Sequence, residues 1–124
     1  MTLIDTSAWV EALRKEGRPE FRDQVRKLML DRGAALCELV LLELWNGARG
    51  DAERKALAAI ERQVKLLPLT NGVWNLAFQL ARDCRDRGLT VPATDVAIAA
   101  CARFYEAELL HNDSHLAMML ATSL

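Results

Sequence analysis

Four carboxylates interrupt apolar stretches of this chain of 124 residues. Asp5 ends the run Met1-Thr2-Leu3-Ile4 and opens Thr6-Ser7-Ala8-Trp9-Val10, and Asp113 follows Glu108-Leu109-Leu110-His111-Asn112. Glu43 stands inside Leu39-Val40-Leu41-Leu42-Glu43-Leu44-Trp45, and Asp95 inside Pro92-Ala93-Thr94-Asp95-Val96-Ala97-Ile98-Ala99. Burying an unpartnered charge is costly, so acids at such positions point to something positive among them. Two carboxylates ~4 Å apart repel by ~4 kcal/mol at an effective dielectric near 20. Four that converge cannot all stay ionised without a compensating cation. Hard oxygen ligands select Mg²⁺ or Mn²⁺ over zinc. Such an ion binds phosphate oxygens and lowers the pKa of a bound water, and a pair of ions stabilises both attacking and leaving oxygens in phosphodiester cleavage.

Each acid also has a structural role open to it. Asp5 and Asp113 are placed to cap helices beginning at Thr6 and near Ser114, and Asp95 suits the positive end of a helix dipole. Glu43 is the hardest to explain structurally, because apolar residues surround it. Thr6, Ser7 and Asn112 adjoin the end acids and can orient carboxylates or waters by hydrogen bonding, or simply cap. His111 and His115 flank Asp113 and raise a transition-metal alternative. That alternative is weak, since the chain has only these two histidines and no usable cysteine pair. Trp9, Trp45 and Trp74 sit at helical spacing with other apolar residues, which favours core packing or a groove for a partner helix over base stacking.

The elements that position these acids read as alternating strands and helices. Thr2 to Ile4 is a short strand, followed by a helix from Thr6 to about Arg14 that Gly17-Arg18-Pro19 breaks. Phe21, Val25, Leu28 and Met29 make a second helix ended by Gly33. Ala34 to Cys37 is a strand, Val40 to Ala48 a helix ended by Gly50, and Ala56, Leu57, Ile60 and Val64 stripe the next. Leu66-Leu67 is a strand before Pro68. Trp74, Ala77, Phe78, Ala81 and Cys84 define a longer helix stopping at Gly88. Val96 to Ala102 is apolar on every side, as a buried helix is. Leu109-Leu110 is a strand, and a last helix begins near Ser114. Strands separated by helical crossovers give an α/β fold with a short, mostly parallel sheet, each strand flanked by helices on both faces. Ligands of such a sheet bind beyond the carboxyl ends of its strands, where Asp5 and Asp113 both fall. They share one edge if their strands are neighbours.

The length fits one domain over residues 1–124 and allows a core without disulfides. No apolar run approaches the ~18 residues of a membrane span, and the N-terminus lacks the pattern of a signal peptide. Cys37, Cys84 and Cys101 read as reduced core thiols of a cytoplasmic protein. A net charge of −1 gives no overall attraction to nucleic acid. Arg14, Lys15, Arg18, Arg22, Arg26, Lys27 and Arg32 nevertheless lie in one segment, and Arg82, Arg85 and Arg87 in another. Arginine suits bidentate phosphate contact. Interleaved Glu11, Glu16, Glu20 and Asp23 fit a solvated helix face equally well.

Taken in order, four segments resemble the acidic motifs of the PIN-domain family, and within it the VapC-type toxins of bacterial toxin–antitoxin pairs. They are Leu3-Ile4-Asp5-Thr6-Ser7-Ala8-Trp9, Val40-Leu41-Leu42-Glu43-Leu44-Trp45-Asn46-Gly47, Thr94-Asp95-Val96-Ala97-Ile98-Ala99-Ala100-Cys101-Ala102 and Leu109-Leu110-His111-Asn112-Asp113-Ser114-His115-Leu116. The resemblance spans essentially the whole chain. It implies a three-layer α/β/α sandwich and a Mg²⁺- or Mn²⁺-dependent endoribonuclease. Asp5, Glu43, Asp95 and Asp113 carry over as the metal-binding, catalytic quartet, and a metal-activated water attacks an RNA phosphodiester. Asp5 and Asp95 are then direct ligands, with Glu43 and Asp113 acting directly or through water. A homodimer is implied too, with a cognate VapB-type antitoxin whose C-terminal segment blocks the site and through which alone operator DNA is bound. The chain departs from the family at His115, where many members carry another acid, and at Leu116, where an aromatic is common. A neutral imidazole lowers the negative charge and weakens a second metal position, leaving one ion or two open. The chain ends soon after the last helix, so the family's fifth strand is expected to be short or absent. Two rivals stand beside this reading. A non-catalytic PIN-like subunit would act only in an antitoxin–operator complex. A signalling receiver domain would need an Asp after the Leu66-Leu67 strand and a late Lys, and neither is present.

Overall fold

The computed structural model describes residues 1–121. Eleven elements follow in order: β1 (Thr2–Ile4), α1 (Thr6–Leu13), α2 (Pro19–Leu30), β2 (Ala34–Leu36), α3 (Glu38–Gly47), α4 (Gly50–Gln63), β3 (Lys65–Leu66), α5 (Asn71–Asp86), α6 (Ala93–Phe104), β4 (Glu108–Leu110) and α7 (Ser114–Ala121). The four strands form one parallel sheet ordered β3-β2-β1-β4. Chain order runs outward from β1 to β2 to β3, then returns past β1 to β4. With right-handed crossovers, the connections before β3 lie on one face and α5–α6 on the other. Accordingly α1 packs on α2 and α3, α3 on α4, and α5 and α7 on α6. The point where strand order reverses lies beside β1, next to β4. In open α/β sheets that is where a crevice forms at the carboxyl edge.

The core is centred on β1, β2 and α6. β1 and β2 are buried throughout. Seven consecutive residues of α6, Val96 to Ala102, are buried. Such a helix has no solvent face, and its small Ala side chains let α5, α7 and the sheet approach closely. Trp9 of α1, 1% exposed, and Val40 of α3 are buried in the core. Cys37, Cys84 and Cys101 are all free and buried. Cys37 and Cys101, distant in sequence, come together as a hydrogen-bonded thiol pair, which holds the Cys37 thiol below its ordinary range and pushes that of Cys101 up.

Several boundaries differ from the sequence expectation. β3 and β4 are edge strands, so they are not covered on both faces: Lys65, Leu66 and Glu108 are exposed. Gly33 does not make the turn after α2. Arg32 takes the left-handed conformation (φ 58°), and the Gly33 N–H closes on Leu28 O at 2.9 Å. α3 begins at Glu38, two residues early, because Cys37 rather than Leu39 supplies its extended N-cap. Gly50 does not end α3. It opens α4 with φ 75° after a short break at Ala48 and Arg49. Any fifth strand would fall outside the described residues.

Candidate active site

Asp5 follows β1 directly, and its N–H donates to Leu110 O at 2.9 Å, fastening the end of β1 to the end of β4. Asp5 is also the N-cap of α1: its Oδ2 accepts from Ser7 N at 3.0 Å and from Ser7 Oγ at 2.6 Å. The same hydroxyl accepts the Asn112 N–H at 2.8 Å. One chain of hydrogen bonds thus runs from the β4 end through Ser7 to a carboxylate that is 4% exposed. Asp113 caps α7, its Oδ1 accepting the Leu116 N–H at 2.9 Å. Capping and a role in a cluster are therefore not alternatives. A capping carboxylate spends one oxygen on the helix and is held by it in a fixed direction.

Asp95 is the third residue of α6. Its side chain is 13% exposed and lies 3.8 Å, Oδ2 to Nδ1, from His115, which in turn is 3.7 Å from Asp113 Oδ1. Ligand atoms of Asp95, Asp113 and His115 all fall within 4.8 Å of one another. Burial first, then the charges of Asp113, Asp5 and Glu43, push the Asp95 carboxyl up to about 6, against the opposing pull of His115. So all four acids of the sequence reading act on one place. Asp95, Asp113 and His115 thus form a donor set able to hold a divalent cation, and Asp5 and Glu43 bear on it through their charges.

Glu43 differs from expectation. Its apolar neighbours suggested burial, yet it lies on the exposed side of α3. Leu44, one residue on, is the one that enters the core, and Leu42 is 64% exposed. Glu43 reaches the cluster from the rim, and Thr6 Oγ1 donates to its Oε1 at 2.8 Å. His111 does not join the cluster; its Nδ1 accepts the Asp113 N–H at 3.4 Å. Trp9 is core, whereas Trp45 is half-buried and donates to Glu61 at 2.8 Å. Trp74 and Phe78, both exposed, line an apolar groove between α5 and α6 with Ala81, Val91 and Val96.

Two residues gain weight that their sequence neighbourhood understated. His115 was visible as a departure from a family pattern and as half of a weak histidine-pair alternative, yet α7's first turn aims it, without His111, at Asp95 and Asp113. Arg18 was one of seven cations in a segment. It reaches the site edge, donating from Nη1 to Asn112 Oδ1 at 3.2 Å. Gly17 makes that possible: a Cβ there would lie 1.7 Å from Glu11 O, so only glycine lets the loop close on α1. Closure is sealed by the Arg18 N–H donating to Glu11 Oε2 at 3.0 Å, and the guanidinium is steered by Glu20 at 2.7 Å and the Phe21 ring at 5.1 Å.

A family model described as PIN domain matches residues 2–119. Among curated proteins, this chain is similar to the ribonuclease VapC11 of Mycobacterium tuberculosis, at 37% identity over 121 residues, 92% of this chain and 87% of that one. Among solved structures it is similar to FitAcB from Neisseria gonorrhoeae, with a TM-score of 0.79 and 21% identity over 98% of this chain and 94% of the other. It is also similar to VapBC2 from Rickettsia felis bound to a DNA fragment from its promoter, with a TM-score of 0.75 and 19% identity over 90% and 86%. At these identities the structural likenesses speak for the fold.

Proposed function

This chain belongs to the PIN-domain family, and from that premise we propose that it is a metal-dependent endoribonuclease, the toxin of a VapBC-type toxin–antitoxin pair, built as one PIN domain. The observation that carries this reading is the gathering of Asp95, Asp113 and His115 ligand atoms within 4.8 Å of one another, with the charges of Asp5 and Glu43 also bearing on Asp95. The 37% identical relative named as a ribonuclease supports the reaction class. Asp5, Asp95 and Asp113 are the residues we assign to Mg²⁺ or Mn²⁺, with Glu43 holding it directly or through water. When bound, the ion supplies an acidified water and charge to offset the phosphate.

The chain's own part is positioning. Ser7 fixes Asp5 Oδ2, which would leave Oδ1 to hold the cation. Thr6 holds Glu43 at the rim, where an exposed acid can exchange a proton with solvent. Arg18 and Asn112 mark the path of the RNA backbone. Substituting Arg18→Ala is expected to weaken RNA binding several-fold and to reduce the slope of log affinity against log salt by about 0.7, the share of one phosphate contact on a single strand. Binding measured on a cleavage-deficient protein at several salt concentrations checks this. An unchanged slope would remove Arg18 from the interface.

Similarity to VapBC2 bound to a promoter DNA fragment and to a toxin–antitoxin complex from Klebsiella pneumoniae supports a cognate antitoxin as partner and operator DNA contact through it. No helix among the described residues is long and apolar enough to cross a membrane, which fits our assignment to the cytoplasm. Homodimerisation completes the reading. Purified protein incubated with total RNA and Mn²⁺ is expected to make discrete cuts that vanish with chelator. Metal binding by titration without any cleavage of any RNA would favour the non-catalytic subunit, and absence of metal binding would overturn the site itself.

A further inference from the structure

We infer that His115 is a direct metal ligand, making the cluster a mixed oxygen–nitrogen site that selects Mn²⁺ over Mg²⁺. The inference rests on the metal-centre reading above and deepens it. His115 is the second residue of α7, so its ring is placed by the same helical turn that Asp113 caps. Its Nδ1 lies 3.7 Å from Asp113 Oδ1 and 3.8 Å from Asp95 Oδ2. Both separations are too long for hydrogen bonds. The imidazole is therefore not simply donating to either acid. Two ligands at ~2.1 Å from one ion can lie at most about 4.2 Å apart, and both separations fall inside that limit. Nearly equal spacing of one nitrogen from two carboxylates is what ligands around a shared centre show. His111 is the internal contrast: its Nδ1 is occupied by the Asp113 N–H.

The chemistry of selection follows from the donor type. Mg²⁺ demands oxygen ligands, gives up water reluctantly and gains little from an imidazole. Mn²⁺ accepts carboxylate and imidazole together, and later divalent ions bind nitrogen more strongly still. An acid at position 115 would add a hard, charged oxygen and favour Mg²⁺. A histidine gives up that charge and adds a softer donor.

The test is calorimetric titration of Mn²⁺ and Mg²⁺ into the full chain and its His115→Asn, His115→Asp and His111→Asn variants, with circular dichroism to establish folding. The half-exposed position of His115 makes both of its substitutions tolerable to the fold. The expected result is a Mn²⁺ preference that falls about tenfold or more in both His115 variants and is kept in His111→Asn. Pulsed electron paramagnetic resonance of bound Mn²⁺ should show a directly coupled imidazole nitrogen in the native protein and His111→Asn, lost in His115→Asn. Metal binding with an unchanged preference, or without nitrogen coupling, would overturn the inference and leave the carboxylate site standing. Absence of binding of either ion to the native protein would overturn both.

Discussion

Asp5→Asn is expected to lower metal-dependent RNA cleavage by more than about a hundredfold while the protein stays folded. Even groups that only orient metal ligands cost 10–100-fold when replaced, and Asp5 is assigned as a ligand. Two features of its surroundings separate chemistry from stability. The first is that asparagine is as good an N-cap as aspartate. Its carbonyl can accept from Ser7 N and Oγ as Oδ2 does now, so the start of α1 and the link through Ser7 to Asn112 survive. The second is that the other oxygen becomes an NH₂ group, which turns a charged acceptor into a neutral donor facing where the cation is expected. Asp5→Ala should lose the same activity and, in addition, about 1 kcal/mol of stability with its cap. Cleavage assays beside thermal melts of the three proteins check both halves. A folded Asp5→Asn protein that still cuts would remove Asp5 from the chemistry.

The same residue shows how far the sequence could be read. The strand–acid–helix pattern at Thr2 to Val10 carries its own explanation, since an apolar run followed by a cap is visible without tertiary structure, and the structure has β1, then Asp5 as N-cap, then α1. The buried helix α6 was legible for a similar reason: seven apolar residues in a row leave no polar face. Strand order was not legible. That β1 lies beside β4 depends on crossover direction, and it is this adjacency that sets Asp5 N–H on Leu110 O. Glu43 shows where local composition misleads. Apolar neighbours on both sides say nothing about which face of a helix a residue occupies, and α3 turns Leu42 and Glu43 outward together. His115 and Arg18 were obscured for opposite reasons. One was a single residue without a recognisable pattern, and the other was hidden among charges that do sit on a solvated face. Their placement required the turn of α7 in one case and the close approach at Gly17 in the other.

Asp95→Asn is expected to stabilise the metal-free protein at neutral pH while abolishing its activity. Asp95 titrates in the fold at about 6, above its ordinary 3.8, because burial and the charges of Asp113, Asp5 and Glu43 oppose its ionisation, with His115 opposing them. A carboxyl whose pKa is raised by folding stabilises the fold while protonated. Its contribution is fully present below about 3.8 and is lost as pH rises through about 6. At 1.36 kcal/mol per unit, and allowing for partial exposure and for the ~0.3–1 kcal/mol that an ionised acid gains at a helix N-terminus, the loss at pH 7 is on the order of 1–2 kcal/mol. Asparagine in the same place never ionises, so the variant keeps what the native protein gives up. Melting temperatures of the two metal-free proteins should therefore coincide near pH 4 and separate between pH 4 and 7, with the variant higher. Comparing the pair cancels the titration of groups that do not interact with Asp95. Saturating Mn²⁺ should reverse the order, because an ion bound only by the native fold stabilises it by mass action and the variant has lost a ligand. A difference in melting temperature that does not change with pH would mean that Asp95 is not held under repulsion by its neighbours. A separation that Mn²⁺ fails to reverse would mean that the repulsion is real but is not what a cation relieves.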